Sequence, residues 1–145
     1  MSSFIIPKKE EEETIDILFS KCSGGGYHPS KKAVELFNER KKQINPDFIP
    51  IVPGLSFLIT RHDPVLVQIF REIGEEFNGK YCSMEIETIP KKYENFYYVR
   101  EYDGEESIHI DYDKYKLESI NNIITNCGMC DEDKIKLITH IFLYF

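Results

Sequence analysis

Tyr97-Tyr-Val-Arg-Glu-Tyr-Asp-Gly-Glu-Glu-Ser-Ile-His-Ile110 carries the clearest structural instruction in the chain. Asp-Gly between two β-prone runs is the strongest short hairpin signal, because both turn residues must tolerate positive φ. A turn centred on Asp103-Gly104 sets Tyr97, Val99, Ile108 and Ile110 on one face of the ribbon. Tyr98, Arg100, Tyr102, Ser107 and His109 fall on the other. The first set is apolar and should face a core, which supports the register. That register also places Glu101 directly opposite Glu106. Like charges facing each other repel, so a cation should sit between them. Arg61, at the head of Arg61-His62-Asp63-Pro64, is the natural candidate.

Working outward, Asp63 suits an N-cap and Pro64 the first helical position, where its missing N–H costs nothing. Leu66, Ile69, Phe70, Ile73 and Phe77 then recur at helical spacing, predicting a central helix over 63–77 ended by a left-handed cap at Asn78-Gly79. Upstream, 14–20 is β-branched and aromatic and reads as a strand. It enters a turn, Cys22-Ser-Gly-Gly-Gly-Tyr-His-Pro29, after which Ser30 caps a helix with Ala33, Val34, Leu36 and Phe37 inward. Pro46, Pro50 and Pro53-Gly54 mark a loop, and 55–59 reads as a short buried strand. Alternation over 82–89 predicts a half-exposed strand ended by Pro90. A helix is expected over 117–126, and Asp131 is placed to cap a last segment over 134–145 that fits helix and strand alike. The expected fold is α/β (α+β): a flexible N-terminal arm over 1–13, then a single globular domain over 14–145. That domain would hold a small, mainly antiparallel sheet with a β-hairpin, packed by three to four helices.

At 145 residues with 41% hydrophobic content, the chain can bury a real core. A formal net charge of −7 opposes nucleic-acid binding, which draws its affinity from phosphate neutralisation. The basic cluster Lys31, Lys32, Arg40, Lys41 and Lys42 is interrupted by Glu35 and Glu39 and reads as a solvated helix face. No apolar run approaches the roughly 20 residues that span a bilayer. The start of the chain lacks a secretory pattern, so no membrane association and an intracellular location are expected.

Glu101 and Glu106 could share a proton, hold a divalent ion or grip Arg61; a structural Arg–Glu brace is favoured over catalysis. Cys22, Gly25, Gly26 and His28 form a second candidate site in the glycine turn. Anion capture at the following helix N-terminus is conceivable there, although the glycines lack phosphate-loop spacing. A Cys22–His28 thiol–imidazole pair is conceivable too, but nothing supplies an orienting third group. His62 and His109 read as ordinary surface residues. Cys127-Gly-Met-Cys130 has the spacing of half a zinc site. The plainer reading, preferred here, is a helix–helix turn with reduced, partly buried thiols. No metal and no cofactor are therefore expected, with zinc on Cys127 and Cys130 kept as an alternative.

Several of these stretches together resemble a family of small uncharacterised proteins encoded by large DNA viruses of protists and algae and by some phages. The matching pattern is the Gly-Gly-Gly-Tyr turn with Ser30 and Ala33, Arg61-His-Asp-Pro64, Leu66-Val67, Glu72-Ile-Gly74 and Asn78-Gly79. It continues through Glu87-Thr-Ile-Pro90 and Glu101-Tyr-Asp-Gly104 to Glu106, covering about Lys21 to Ile110. His62 stands where the family usually shows a small polar residue, which argues against histidine-based chemistry. The resemblance implies viral origin, of marseillevirus-like kind, and carries over no catalytic residues. The expected function is a non-enzymatic binding or structural module that forms a homodimer, with a viral or host protein as a further possible partner. It would act in host cytoplasm or nucleus, or in the virion. The alternative is a small hydrolase-type enzyme using Glu101/Glu106 or Cys22/His28.

Overall fold

The computed structural model describes residues 11–144. The arm expected over 1–13 falls outside the described residues as far as residue 10. Beyond it, Glu12 and Glu13 lie 3.4 Å from Lys92 and Lys91 respectively.

The described residues form a small α+β arrangement of four α-helices and two antiparallel β-ribbons. Strand β1 (Thr14–Ser20) pairs with β2 (Met84–Pro90), Leu18 standing opposite Ile86. Strands β3 (Tyr97–Tyr102) and β4 (Glu105–Ile110) form the Asp103-Gly104 hairpin, with Glu101 opposite Glu106. The turn takes φ of +50° and +84°, as a tight two-residue connection demands.

The run Ile17-Leu18-Phe19 in β1 is unbroken by polar residues because both faces of the strand are covered there. Leu18 joins a core with Ala33, Phe37, Leu66, Ile69 and Phe77, so one face meets helices α1 (Lys31–Ile44) and α2 (Pro64–Ile73). Ile17 and Phe19 point the other way, into a second cluster with Ile89, Tyr93 and Ile108. Helices, first ribbon and hairpin thus stack as three layers, and Val99, Tyr97 and Ile110 pack into the second cluster from the hairpin.

Ser30 caps α1 by accepting the Ala33 N–H at 3.2 Å, and Asp63 caps α2 by accepting the Val65 N–H at 2.9 Å. The helix expected over 63–77 breaks at Gly74, whose φ of +59° turns the chain out of the α-helix. A 3-10 turn, Gly74–Phe77, follows and seats Phe77 fully inside. Asn78 is extended at φ −76°, so no left-handed cap forms there. Gly79 is required for closeness instead: its N–H donates to His28 O at 2.6 Å, and a Cβ would stand 2.3 Å from that oxygen.

The strand expected over 55–59 is a 3-10 segment, Pro53–Leu58, with Leu55, Phe57 and Leu58 exposed. Pro53 presets a helical φ. A strand here would also find the nearby backbone of β1 engaged, since Leu18 N–H already donates to Arg61 O at 3.0 Å.

Helix α3 (Tyr112–Ile124) starts earlier than expected because Asp111, not a later residue, caps it, accepting the Lys114 N–H at 3.0 Å. The C-terminal segment is helix α4 (Asp131–Tyr144). Neither helix has a buried residue. α3 is moored by aromatic edges, Tyr115 lying 4.9 Å from Tyr93 and 5.3 Å from Phe96. Among the described residues no helix is long and apolar enough to cross a membrane.

Candidate functional site

Arg61 is positioned by its own backbone, which bonds the edge of β1, and by the start of α2 just beyond it. Its guanidinium forks onto Glu106, with Nη1 to Oε1 at 2.6 Å and Nη2 to Oε2 at 2.8 Å. Ser20 N–H, at the end of β1, donates to the same Oε1 at 2.9 Å. The Tyr27 ring lies 3.8 Å beneath the guanidinium, close enough for a cation–π contact. Glu106 is only 5% exposed. A carboxylate that deep is tolerable because it is paired bidentately and receives a third hydrogen bond. One side chain therefore ties the hairpin, the first ribbon and the α2 entrance together.

Glu101 does not join this cluster. Its Oε1 accepts the Gly104 N–H inside the turn, and the residue is exposed. The expectation that Arg61 stands between two facing acids is corrected accordingly. Arg61 spends one N–H of Nη1 and one of Nη2 on the two oxygens of Glu106. The free N–H of the turn lies three residues from Glu101, a shorter reach than Arg61. The two glutamates share a register position and have separate jobs.

Two residues of the cluster were not singled out from the sequence. Tyr27 keeps its hydroxyl buried with no hydrogen-bond partner. Burial drives that phenol far above its ordinary range, opposed in part by the Arg61 charge. Tyr97, also raised by burial, shares a 2.7 Å hydrogen bond with His62 Nδ1. His62 is thus engaged by the hairpin and is no ordinary surface histidine. A tyrosine on the core face of the hairpin needs a partner for its hydroxyl, and that was the available signal. His109 likewise sits half-buried, bonded to Ser107 Oγ at 2.8 Å and stacked on Tyr98.

The glycine turn is spent on backbone packing. Gly24 N–H donates to Asp103 O at 2.5 Å, Gly25 N–H to Cys22 O at 3.2 Å and Gly26 N–H to Tyr81 O at 3.2 Å. A Cβ at Gly25 would fall 1.7 Å from Tyr81 O, and one at Gly104 would fall 2.4 Å from Gly25 O. The turn and the hairpin tip therefore touch main chain to main chain, and the three N–H groups an anion would need are already donating. Cys22 Sγ lies against Ser23 O at 3.8 Å, His28 is exposed, and no hydrogen bond joins the two among the described residues.

Elsewhere the charged groups neutralise one another. Lys31, Lys32, Arg40 and Lys41 of the basic cluster pair with Glu35, Glu76, Glu72 and Asp63. A cleft of about 280 Å³ between β1 and α2 is lined by Asp16, His62, Gln68 and Arg71. Its charges are internally satisfied: the Thr88 hydroxyl at 2.6 Å, and Arg71 after it, hold the Asp16 carboxyl below the usual range. Cys127 and Cys130 are exposed, which corrects the expectation of partly buried thiols there. With no buried residue in either flanking helix, the turn has no core to sink them into. No group of three or more His, Cys, Asp and Glu is placed to hold a metal among the described residues. Comparison with known proteins finds no matching family model, no matching curated protein and no matching solved structure.

Proposed function

We propose that this chain is a non-enzymatic viral module whose job is binding, and that it self-associates through its C-terminal helical hairpin. The observation that carries the reading is the bare apolar face of α3 and α4. Leu117 is 69% exposed and Phe142 72%, and Ile124 and Ile135 are more than half exposed. Helical period puts Leu117, Ile120 and Ile124 on one face of α3, and Ile135 and Phe142 on one face of α4. At on the order of 100 Å² each, the four exposed side chains Leu117, Ile124, Ile135 and Phe142 offer about 400 Å². That matches the apolar share of the ~800 Å² one partner commits to a standard interface.

A second copy suits this face better than a charged partner. α3 carries Asp113 and Glu118 against Lys114 and Lys116, and α4 carries Asp131, Glu132 and Asp133 against Lys134 and Lys136, so the two helices together hold one net negative charge of the chain's −7 and two copies meet with little repulsion. Twofold pairing is the commonest arrangement for such a surface. The catalytic alternative has less support, because the carboxylates of Glu101 and Glu106 are engaged separately and Cys22 is not bonded to His28. The viral origin rests on the resemblance of the Arg-x-Asp-Pro, Ile-Pro and Glu-Tyr-Asp-Gly stretches. Free thiols at all four cysteines suit a reducing compartment inside the cell.

Light scattering of the purified chain at micromolar concentration, in a metal chelator, tests the reading. The expected mass is twice 17.1 kDa. The double variant Leu117→Lys, Phe142→Lys should be a monomer with an unchanged circular dichroism spectrum. A monomeric wild type would overturn the proposal.

A further inference from the structure

The exposed thiols at the tip of the helical hairpin are left without a packing role. Cys127 and Cys130 flank Gly128-Met129 in the turn joining α3 to α4. The turn is held in shape from within: Asn126 Oδ1 accepts the Gly128 N–H at 2.9 Å, and Cys130 O accepts the Lys134 N–H at 3.1 Å. Cys130 therefore occupies the cap position of a 14-residue helix and projects from its start. Two cysteines separated by two residues can grip one tetrahedral ion, at about 2.3 Å per Zn–S bond. One chain supplies only half of a closed structural site, because no third ligand stands with them among the described residues.

We infer that two copies of this chain complete one Zn²⁺ site, each contributing Cys127 and Cys130 across the twofold axis. This deepens the self-association reading and rests on it, and it fixes the direction of the axis. The two hairpins run side by side in parallel, apolar faces together and tips at the same end. Binding converts four thiols to thiolates and releases four protons, giving a centre of net charge −2. Lys134 Nζ sits by the turn, donating to Ile124 O at 2.9 Å. One such ammonium from each copy offsets part of that charge, the rest of the tip being acidic through Asp131, Glu132 and Asp133 in the first turn of α4.

Metal-stripped full-length protein is titrated with zinc, and separately with cobalt(II) as a visible probe of four-sulfur tetrahedral ligation. The expected endpoint is one metal per two chains, with a four-thiolate cobalt spectrum. The dimer dissociation constant should fall at least ten-fold when zinc is added. Cys127→Ser with Cys130→Ser should abolish all three effects while leaving the melting curve of the metal-free protein unchanged. An endpoint of one zinc per chain, no uptake, or uptake that survives the double substitution overturns the site. The two readings fail separately. A chelated wild type that is monomeric removes the apolar-face contact, whereas a chelated dimer indifferent to zinc removes the metal.

Discussion

Glu101 and Glu106 face each other across one ribbon, yet their removal should have very different consequences. Glu106→Ala strips Arg61 of its only bidentate partner and leaves Ser20 N–H, at the fully buried Ser20, without an acceptor. Breaking a buried pair from one side costs about 3–5 kcal/mol. The Arg61 side chain is 23% exposed and can partly rehydrate, which argues for the lower end, about 3 kcal/mol. The orphaned amide adds about 1 kcal/mol. A total near 4 kcal/mol corresponds to a fall in Tm of roughly 8–16 °C for a chain of this length. Glu101→Ala forfeits one part-buried turn hydrogen bond and should cost about 1 kcal/mol.

Guanidinium unfolding at neutral pH reads both values, and an unchanged denaturant slope will confirm that only stability has moved. Arg61→Met alone should be nearly as costly as Glu106→Ala, since it strands a buried carboxylate. Arg61→Met combined with Glu106→Leu should cost at least 2 kcal/mol less than the sum of its single substitutions, because neither charge is then left unpaired. The reasoning is refuted if Glu106→Ala costs no more than Glu101→Ala. It is equally refuted if the Arg61 and Glu106 effects add within about 0.5 kcal/mol.

Tyr27→Phe should stabilise the protein by about 1 kcal/mol by deleting a buried, unpartnered hydroxyl. The folded phenol titrates above its unfolded value of about 10, so its contribution is present below that pH and is lost as pH rises toward the folded value; thermal melts from neutral to alkaline pH should show the wild type declining more steeply than Tyr27→Phe, and equal slopes would contradict the assignment. Gly104→Ala, whose Cβ would meet Gly25 O at 2.4 Å at φ +84°, should cost at least about 2 kcal/mol. Gly54→Ala, with no atom within 4 Å, should stay within about 0.5 kcal/mol in the same chemical melt.

The hairpin was legible because its instruction is local: Asp-Gly fixes the turn and the alternation on either side fixes the register. β1 and both capped helix starts, Ser30 and Asp63, were legible for the same reason. The errors arise where tertiary context decides. Leu55, Phe57 and Leu58 are strand-like by composition, yet Pro53 and the Arg61 backbone on β1 leave them a 3-10 course. Gly74 falls inside the helical period of Leu66 to Phe77, but the chain uses its positive φ to swing Phe77 into the core. At the site, register placed the two glutamates correctly and could not say which would win Arg61. That choice depends on a backbone N–H three residues away and on Ser20, 86 positions distant from Glu106 in sequence.

The same contrast divides the molecule physically. Between β1 and β4 the glycine N–H groups sit on backbone carbonyls, Arg61 on Glu106, and Asp16 on Thr88 and Arg71, with the buried Tyr27 hydroxyl as the exception. The C-terminal hairpin is the opposite case. It contributes no buried residue to its own chain, yet carries large apolar side chains and two exposed thiols. Water penalises such a surface wherever it stays uncovered. None of Leu117, Ile124, Ile135 and Phe142 supports the core, so the second copy we propose would cover them without disturbing the fold beneath, and the neutral α3 would meet its like without net repulsion.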